Sequence, residues 1–207
     1  MSKFSSNHTV RRKFTQFMSG KKIILSKNQT PPEVIIRTAP LCLADSSSLI
    51  LLYKSGLLDT WLLHYRCRIT PEIFMEITCP HHTGSESFGQ FFSKEQILLP
   101  HSKSELPEHL DPGEASLLRA YRHLLSRSPK QQIFLLTDDK DAARYATCQG
   151  VPFINALLVP KLLFYGDYLQ EEEFEYYTTL ILLKGRYSAK ILSRAEKFTA
   201  LDLGFFL

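Results

Sequence analysis

The amino-acid sequence predicts an α/β fold of three layers, an α/β/α sandwich around a mostly parallel central sheet, and three stretches carry that expectation. In Leu41–Gly56, LCLADSSSLILLYKSG, a buried strand gives way through Asp45 and three serines to an apolar helical run that a glycine stops. Ile133–Gly150, IFLLTDDKDAARYATCQG, repeats the switch from compact strand to helix to glycine stop. Val151–Ile154 follows that stop at once and reads as the next parallel strand. In an open α/β sheet, ligands bind beyond the carboxyl ends of the strands, beside helix N-termini. Asp45 and the group Asp138, Asp139 and Asp141 therefore stand where chemistry is expected.

A chain of 207 residues has room for one domain with a substantial core, or for one domain and a small appendage. Its hydrophobic content of 44% is that of a soluble globular protein. No apolar run approaches the ~18 residues that a bilayer-spanning helix needs, and the leading MSKFSSNHTVRRKF lacks the apolar core of a secretion signal. No membrane association and a cytoplasmic location are expected. Cys42, Cys67, Cys79 and Cys148 form no CxxC pair and have no histidine at ligand spacing, which points to buried free thiols in a reducing compartment. The net charge of +4 conceals an asymmetry: residues 1–40 carry eight basic side chains against Glu33 alone, while the remainder carries 17 basic and 20 acidic ones. Such a leader either attracts a polyanion, with salt-dependent affinity, or only solubilises the chain.

Taken in order, residues 22–25 and 34–36 suggest two short strands within the leader. Beyond the first strand and helix, Leu57–Tyr65 supplies another apolar surface and Cys67–Ile69 a short strand. Thr70 then has the side chain of an N-cap and Pro71 fits the first helical position, so TPEIFMEI reads as a helix with Ile73 and Ile77 on one face and Glu72 and Glu76 on another. Residues 78–95 are rich in breakers, and the adjacent His81 and His82 cannot both face one metal from a regular element. Ile97–Leu99 suggests a short strand. Leu110–Leu125 has Asp111 as N-cap, Pro112 first and Glu114 third, a capping box ahead of an apolar face. From Asn155 onward the pattern is helical, with Glu171, Glu172, Glu173 and Glu175 in the first turns of the middle helix, where negative charge complements the helix dipole. Phe164, Tyr165, Phe174, Tyr176, Tyr177, Leu180 and Leu183 either close the core or bury a homodimer interface.

Each candidate acid has a structural alternative. Asp45 can cap its helix, and Glu114 can return to the backbone N–H of Asp111, an interaction worth about 1 kcal/mol. Of the three aspartates after Thr137, Asp138 and Asp141 can make the local cap and its partner, leaving Asp139 for other work. Glu76 repels Glu72 slightly, a cost that becomes a gain beside a cation. If the sheet gathers these acids at one edge, the cluster is unfavourable without cations, and hard divalent ions, Mg²⁺ or Mn²⁺, would relieve it. Such a site can activate water and neutralise charge on a phosphate, with two ions roughly 4 Å apart. Lys140 and Arg144, one turn apart, either meet a phosphate backbone or face solvent.

The order of these motifs resembles the PIN domain, a family of metal-dependent nucleases that includes the toxin components of many toxin–antitoxin pairs. Asp45 with Ser47 looks like the family's Asp-x-Ser/Thr after the first strand. Glu76 in ITPEIFMEI resembles its glutamate in the helix after a Thr/Val-Pro step, and Glu114 in PGEASLL resembles its third acid. Asp139 in TDDKDAAR matches the fourth, in the usual Thr-x-Asp form; Asp141 matches an often acidic position nearby, and Asp138 can substitute for either. The likeness covers about residues 40–155. It implies a PIN-like domain over residues 40–158, between a basic extension over 1–39 and a helical extension over 159–207 packed on the domain or a partner. It implies an endoribonuclease in which Asp45, Glu76, Glu114 and Asp139 hold one or two Mg²⁺ or Mn²⁺ ions. Asp138 and Asp141 would assist at the metal, and Ser47 and Thr137 would support the acids. RNA would be the substrate, and an antitoxin, another protein or a second copy of the chain the partner. The alternative from the same fold is a non-catalytic RNA-binding or protein-interaction module whose contact is the leader, with Arg11, Arg12 and Lys13.

Overall fold

Four consecutive small or apolar residues, Leu41–Ala44, offer no polar face to solvent, and they form β1, buried along its whole length. The computed structural model describes residues 40–79, 88–92, 96–98, 106 and 110–207. Within them β1 pairs in parallel with β2 (Arg66–Arg68) on one side and with β3 (Ile133–Leu136) on the other, and β3 pairs in parallel with β4 (Phe153–Ile154). The order is β2-β1-β3-β4. β3, IFLL, is as completely buried as β1, whereas β2 at the edge buries Cys67 and exposes Arg66. With helices on both faces, this is the three-layer α/β/α sandwich expected from the sequence.

Parallel neighbours need crossover connections, and local chemistry marks where each helix begins and ends. α1 (Ser46–Ser55) starts at Asp45 and stops at Gly56, whose φ of +78° favours glycine. α2 (Leu58–His64) leads into β2. α3 (Pro71–Ile77) has Thr70 as its cap and Pro71 in its first turn. α4 (Pro112–Arg127) opens on the expected capping box: Asp111 Oδ1 accepts from the Glu114 N–H at 2.8 Å, and Glu114 Oε2 accepts from the Asp111 N–H at 3.2 Å. α5 (Lys140–Gln149) stops at Gly150. After β4 come a 3₁₀ turn, Ala156–Leu158, and three helices, α6 (Val159–Tyr165), α7 (Glu171–Lys184) and α8 (Ala189–Lys197).

The core gathers around Phe134 of β3, which meets Trp61, Tyr65 and Phe206 edge-to-face at centroid distances of 6.3, 6.3 and 5.1 Å. Phe206 ties the C-terminal end of the chain to the central sheet. α7 packs on α1 and α6. The C-terminal aromatic set divides: Phe164 stacks on Phe174 at 5.0 Å and Tyr177 packs against the core, while Tyr176 and Leu183 stay 60% and 77% exposed.

Several local expectations need correction. β2 covers Arg66–Arg68 rather than Cys67–Ile69, because Ile69 instead makes a parallel bridge to Ile97. β4 is confined to Phe153–Ile154. The four cysteines are free, but only Cys42 and Cys67 are buried; Cys148 lies exposed at the end of α5. Residues 22–25 and 34–36, Leu99, the leader with Arg11, Arg12 and Lys13, and His81 and His82 fall outside the described residues. Among the described residues no helix is long and apolar enough to cross a membrane.

This core makes a stability prediction. Phe134→Ala will cost about 3–5 kcal/mol in urea denaturation, whereas Leu201→Ala, at a side chain 90% exposed, will stay within about 0.5 kcal/mol of wild type. Equal losses in the two variants would contradict the packing described.

Candidate functional site

β1 has β2 on one side and β3 on the other, so connections leave it in opposite directions. The crevice beyond the carboxyl ends of β1 and β3 is thus the switch point of the sheet. Ala44 and Leu136, the last residues of the two strands, are in register. The Asp45 N–H extends the ladder by donating to Leu136 O at 2.9 Å. Asp45 therefore emerges beside the segment Thr137, Asp138 and Asp139.

Asp45 is almost wholly buried. Its Oδ1 accepts from the Ser48 N–H at 2.7 Å and the Ser47 hydroxyl at 3.2 Å, and its Oδ2 accepts from the Asp138 N–H at 3.1 Å. Burial pushes its pKa up, and hydrogen bonds from Thr137, Ser48 and Ser47 oppose that shift. Asp138 lies next to it. Asp138 Oδ2 accepts from the Ser48 hydroxyl at 2.9 Å and the Ala156 N–H at 3.3 Å, and Oδ1 accepts from the Tyr187 hydroxyl at 2.8 Å. Burial, with the charge of Asp45 second, raises Asp138 to about 6. Ser48 thus serves both acids, one through its backbone and the other through its hydroxyl.

Within the aspartate triplet the expected roles are exchanged. Asp139 caps α5, its Oδ1 accepting from the Asp141 and Ala142 N–H groups at 2.6 and 2.8 Å. Asp138 is the one turned inward. The cause is register: Thr137 still belongs to the ladder, its N–H donating to Ile154 O, so the chain turns into the helix only at Asp139. Capping does not exhaust Asp139, because its carboxylate also meets Glu114. Burial first, then the hydrogen bond to Asp139 and the charges of Asp139 and Asp111, raise Glu114 to about 8. For Asp139 burial acts upward too, but hydrogen bonds from the Ala142 N–H, Glu114 and the Asp141 N–H outweigh it and hold the pKa low. The proximity of the two carboxyls thus pushes their pKa values apart, Glu114 upward and Asp139 downward.

Neighbouring contacts hold this pair in place. Arg122 of α4 hydrogen-bonds the Tyr145 hydroxyl of α5, and the Thr70 and Ser116 hydroxyls join the start of α3 to α4 at 2.6 Å. Glu76, exposed on α3, rests over the first turn of α4: a Cβ added to Gly113 would lie 3.2 Å from Glu76 Oε2 and 3.4 Å from Asp111 Oδ1. Thr137 links the two acid pairs, bonding the Asp45 carboxylate while its Oγ1 accepts from the Asp139 N–H at 3.2 Å. Asp141, Lys140 and Arg144 are exposed on α5. Two residues that sequence reasoning passed over also stand here: Ser48 was visible only as one of three serines, and Tyr187 had no local signal.

The donor set is made of hard oxygens, as Mg²⁺ or Mn²⁺ requires. Burial and the charges of Asp139 and Asp111 hold the Glu114 pKa high, and a cation beside the pair would oppose that shift. The acids are not preassembled as a single cage, however. Among the described residues no three Asp, Glu, His or Cys side chains stand at metal-ligand spacing. They come as two pairs, Asp45 beside Asp138 and Glu114 against Asp139, with Glu76 at the rim, since each buried carboxylate has found backbone donors, hydroxyls or a proton.

The raised pKa of Glu114 sets a pH dependence. In the metal-free fold Glu114 stays protonated up to about pH 8, while in the unfolded chain it ionises in the ordinary carboxylate range. The folded state binds the extra proton over that window, so its contribution to stability is complete at acidic pH and is lost as pH rises through about 8. In EDTA, urea denaturation between pH 5 and pH 8 will show wild type losing more stability than Glu114→Gln, whose amide can bond Asp139 with no proton to lose. Parallel pH curves for the two proteins would contradict the raised Glu114 pKa.

A family model described as a PIN domain matches residues 41–166, from β1 through α6 and beyond the last helix of that stretch by one residue. No curated protein and no solved structure matches the chain significantly. The match takes in well over half of the 207 residues and includes both strands of the switch point with all the acids described. The chain belongs to the PIN-domain family.

Proposed function

We propose that this protein is a divalent-metal-dependent endoribonuclease that hydrolyses RNA phosphodiester bonds. The observation that supports it is the meeting of acids at the switch point, where Ala44 and Leu136 in register bring Asp45 beside Asp138 and where Glu114 lies near Asp139, its pKa raised by burial and by that neighbour. Asp45, Glu76, Glu114 and Asp139 would hold one or two Mg²⁺ or Mn²⁺ ions, with Asp138 and Asp141 assisting. A bound ion would supply an activated water and neutralise charge on the phosphate. The chain itself orients the acids. Ser47, Ser48 and Thr137 fix Asp45, and the Asp141 and Ala142 N–H groups fix one oxygen of Asp139. Gly113 leaves Glu76 room beside α4. Lys140 and Arg144, exposed on the helix that Asp139 caps, would meet the RNA backbone. A toxin role with an antitoxin or another protein partner, or a homodimer, extends the proposal by family likeness.

One observation favours a second reading, a non-catalytic RNA-binding or protein-interaction module: the oxygens of Asp45 and Asp138 are already satisfied by protein donors. Cleavage of a mixed-sequence RNA separates the two. Wild type will cut with millimolar Mn²⁺ and stop in EDTA, and Asp45→Asn and Glu114→Gln, shown folded by circular dichroism, will lose at least ~100-fold in kcat. Gly113→Ala will remain folded yet lose about tenfold, because the added Cβ displaces Glu76 by a few tenths of an ångström. Cleavage that persists in EDTA or in Glu114→Gln would overturn the metal mechanism, and RNA binding without cleavage would favour the second reading.

A further inference from the structure

The family match ends at residue 166, yet a side chain from well beyond it enters the acid site. Tyr187 lies just after α7, half-buried and packed against the core, and its hydroxyl donates to Asp138 Oδ1 at 2.8 Å. The other oxygen of Asp138 takes the Ser48 hydroxyl and the Ala156 N–H, so Tyr187 occupies the oxygen that these leave. Asp138 in turn gives its backbone N–H to Asp45 Oδ2 at 3.1 Å. A continuous hydrogen-bonded path therefore runs from the C-terminal helices to the buried acid that follows β1.

The ring reaches this position by folding back over the chain. A Cβ on Gly185 would collide with Tyr187 Cε2 and lie 2.9 Å from Ile181 O, a gap that real side chains do not tolerate. Gly166 and Tyr168 have the same spacing and the same fold-back, but Tyr168 stacks on His64 at 3.8 Å instead. The two tyrosines share a local geometry, and only one of them touches an acid of the site.

We propose that Tyr187 is a positioning residue of the acid site: it holds the Asp138 carboxylate in one orientation and, through Asp138, keeps the backbone donor on Asp45. Its significance for catalysis rests on the nuclease reading above, whereas the positioning itself does not. Removing the hydroxyl leaves a partly buried carboxylate oxygen without its donor, and groups that orient metal-binding acids change metal affinity or activity by about 10–100-fold when removed.

The test uses the full chain and two variants. Tyr187→Phe keeps the ring and loses the hydroxyl; Gly185→Ala keeps the hydroxyl and displaces the ring. In metal-free protein, amide hydrogen exchange at Asp138 and Ala156 will accelerate at least tenfold in both, with little change at Leu135 in the centre of β3, while Tyr168→Phe leaves all three as in wild type. Titration calorimetry with Mn²⁺ will show affinity about tenfold weaker for Tyr187→Phe. The same substitution will add nothing in an Asp138→Ala background, which lacks the accepting oxygen. Unchanged exchange at Asp138 and Ala156 in Tyr187→Phe would overturn the proposal, as would an undiminished effect in the Asp138→Ala background. Accelerated exchange in a protein that binds no Mn²⁺ at all would uphold the role of Tyr187 and overturn the nuclease reading instead.

Discussion

A carboxylate removed from water must be given donors, a proton or a cation, and at the end of β1 that requirement falls on Asp45. The protein meets it with the Ser48 and Asp138 backbone N–H groups and the hydroxyls of Ser47 and Thr137. Each of those donors is held by something else: Ser48 by α1, Asp138 by Ser48, Ala156 and Tyr187, and Thr137 by its place in the ladder next to β4. Much of the architecture can be followed outward from this one buried charge. The helix after β1 begins where it does because Asp45 caps it, and the segment after β3 stays extended through Thr137 because Ile154 still accepts its N–H.

Topology turns that local demand into a site. The parallel register brings Ala44 opposite Leu136, and the acids that follow the two strands cannot avoid one another. α4 then delivers Glu114 from a third part of the chain, with Arg122 and Tyr145 fixing it against α5 and Thr70 and Ser116 fixing it against α3. Glu114 caps its own helix through one carboxyl oxygen and also meets Asp139. Capping and the proposed site fall on the same residues: the carboxylates that begin α1, α4 and α5 lie at the edge of the sheet where a ligand would sit.

What was legible in the sequence follows the range of the forces involved. Strands such as Ile133–Leu136 and caps such as Asp111, Thr70 and Gly150 are decided within a few residues, and they stand as the sequence implies. The identity of the acids at the strand ends was also local. Their division of labour was not. Whether Asp138 or Asp139 caps α5 depends on one more ladder bond to Ile154, and the inward turn of Asp138 depends on Ser48, 90 residues away, and on Tyr187. Nothing within the local pattern of residues 185–188 announces a tyrosine aimed at an aspartate 49 positions earlier.

Thermal unfolding with and without Mn²⁺ tests most directly the proposal that these carboxylates hold one or two divalent cations in the folded chain. A ligand that binds the native state alone stabilises it by about 2.7 kcal/mol at a hundredfold excess over Kd. Wild type should therefore melt several degrees higher in millimolar Mn²⁺ than in EDTA, and Asp45→Asn should gain far less. A wild-type transition that does not move, with no heat of binding in a calorimetric titration, would show that the acids are caps and buried hydrogen-bond acceptors only, and the metal site would have to be abandoned.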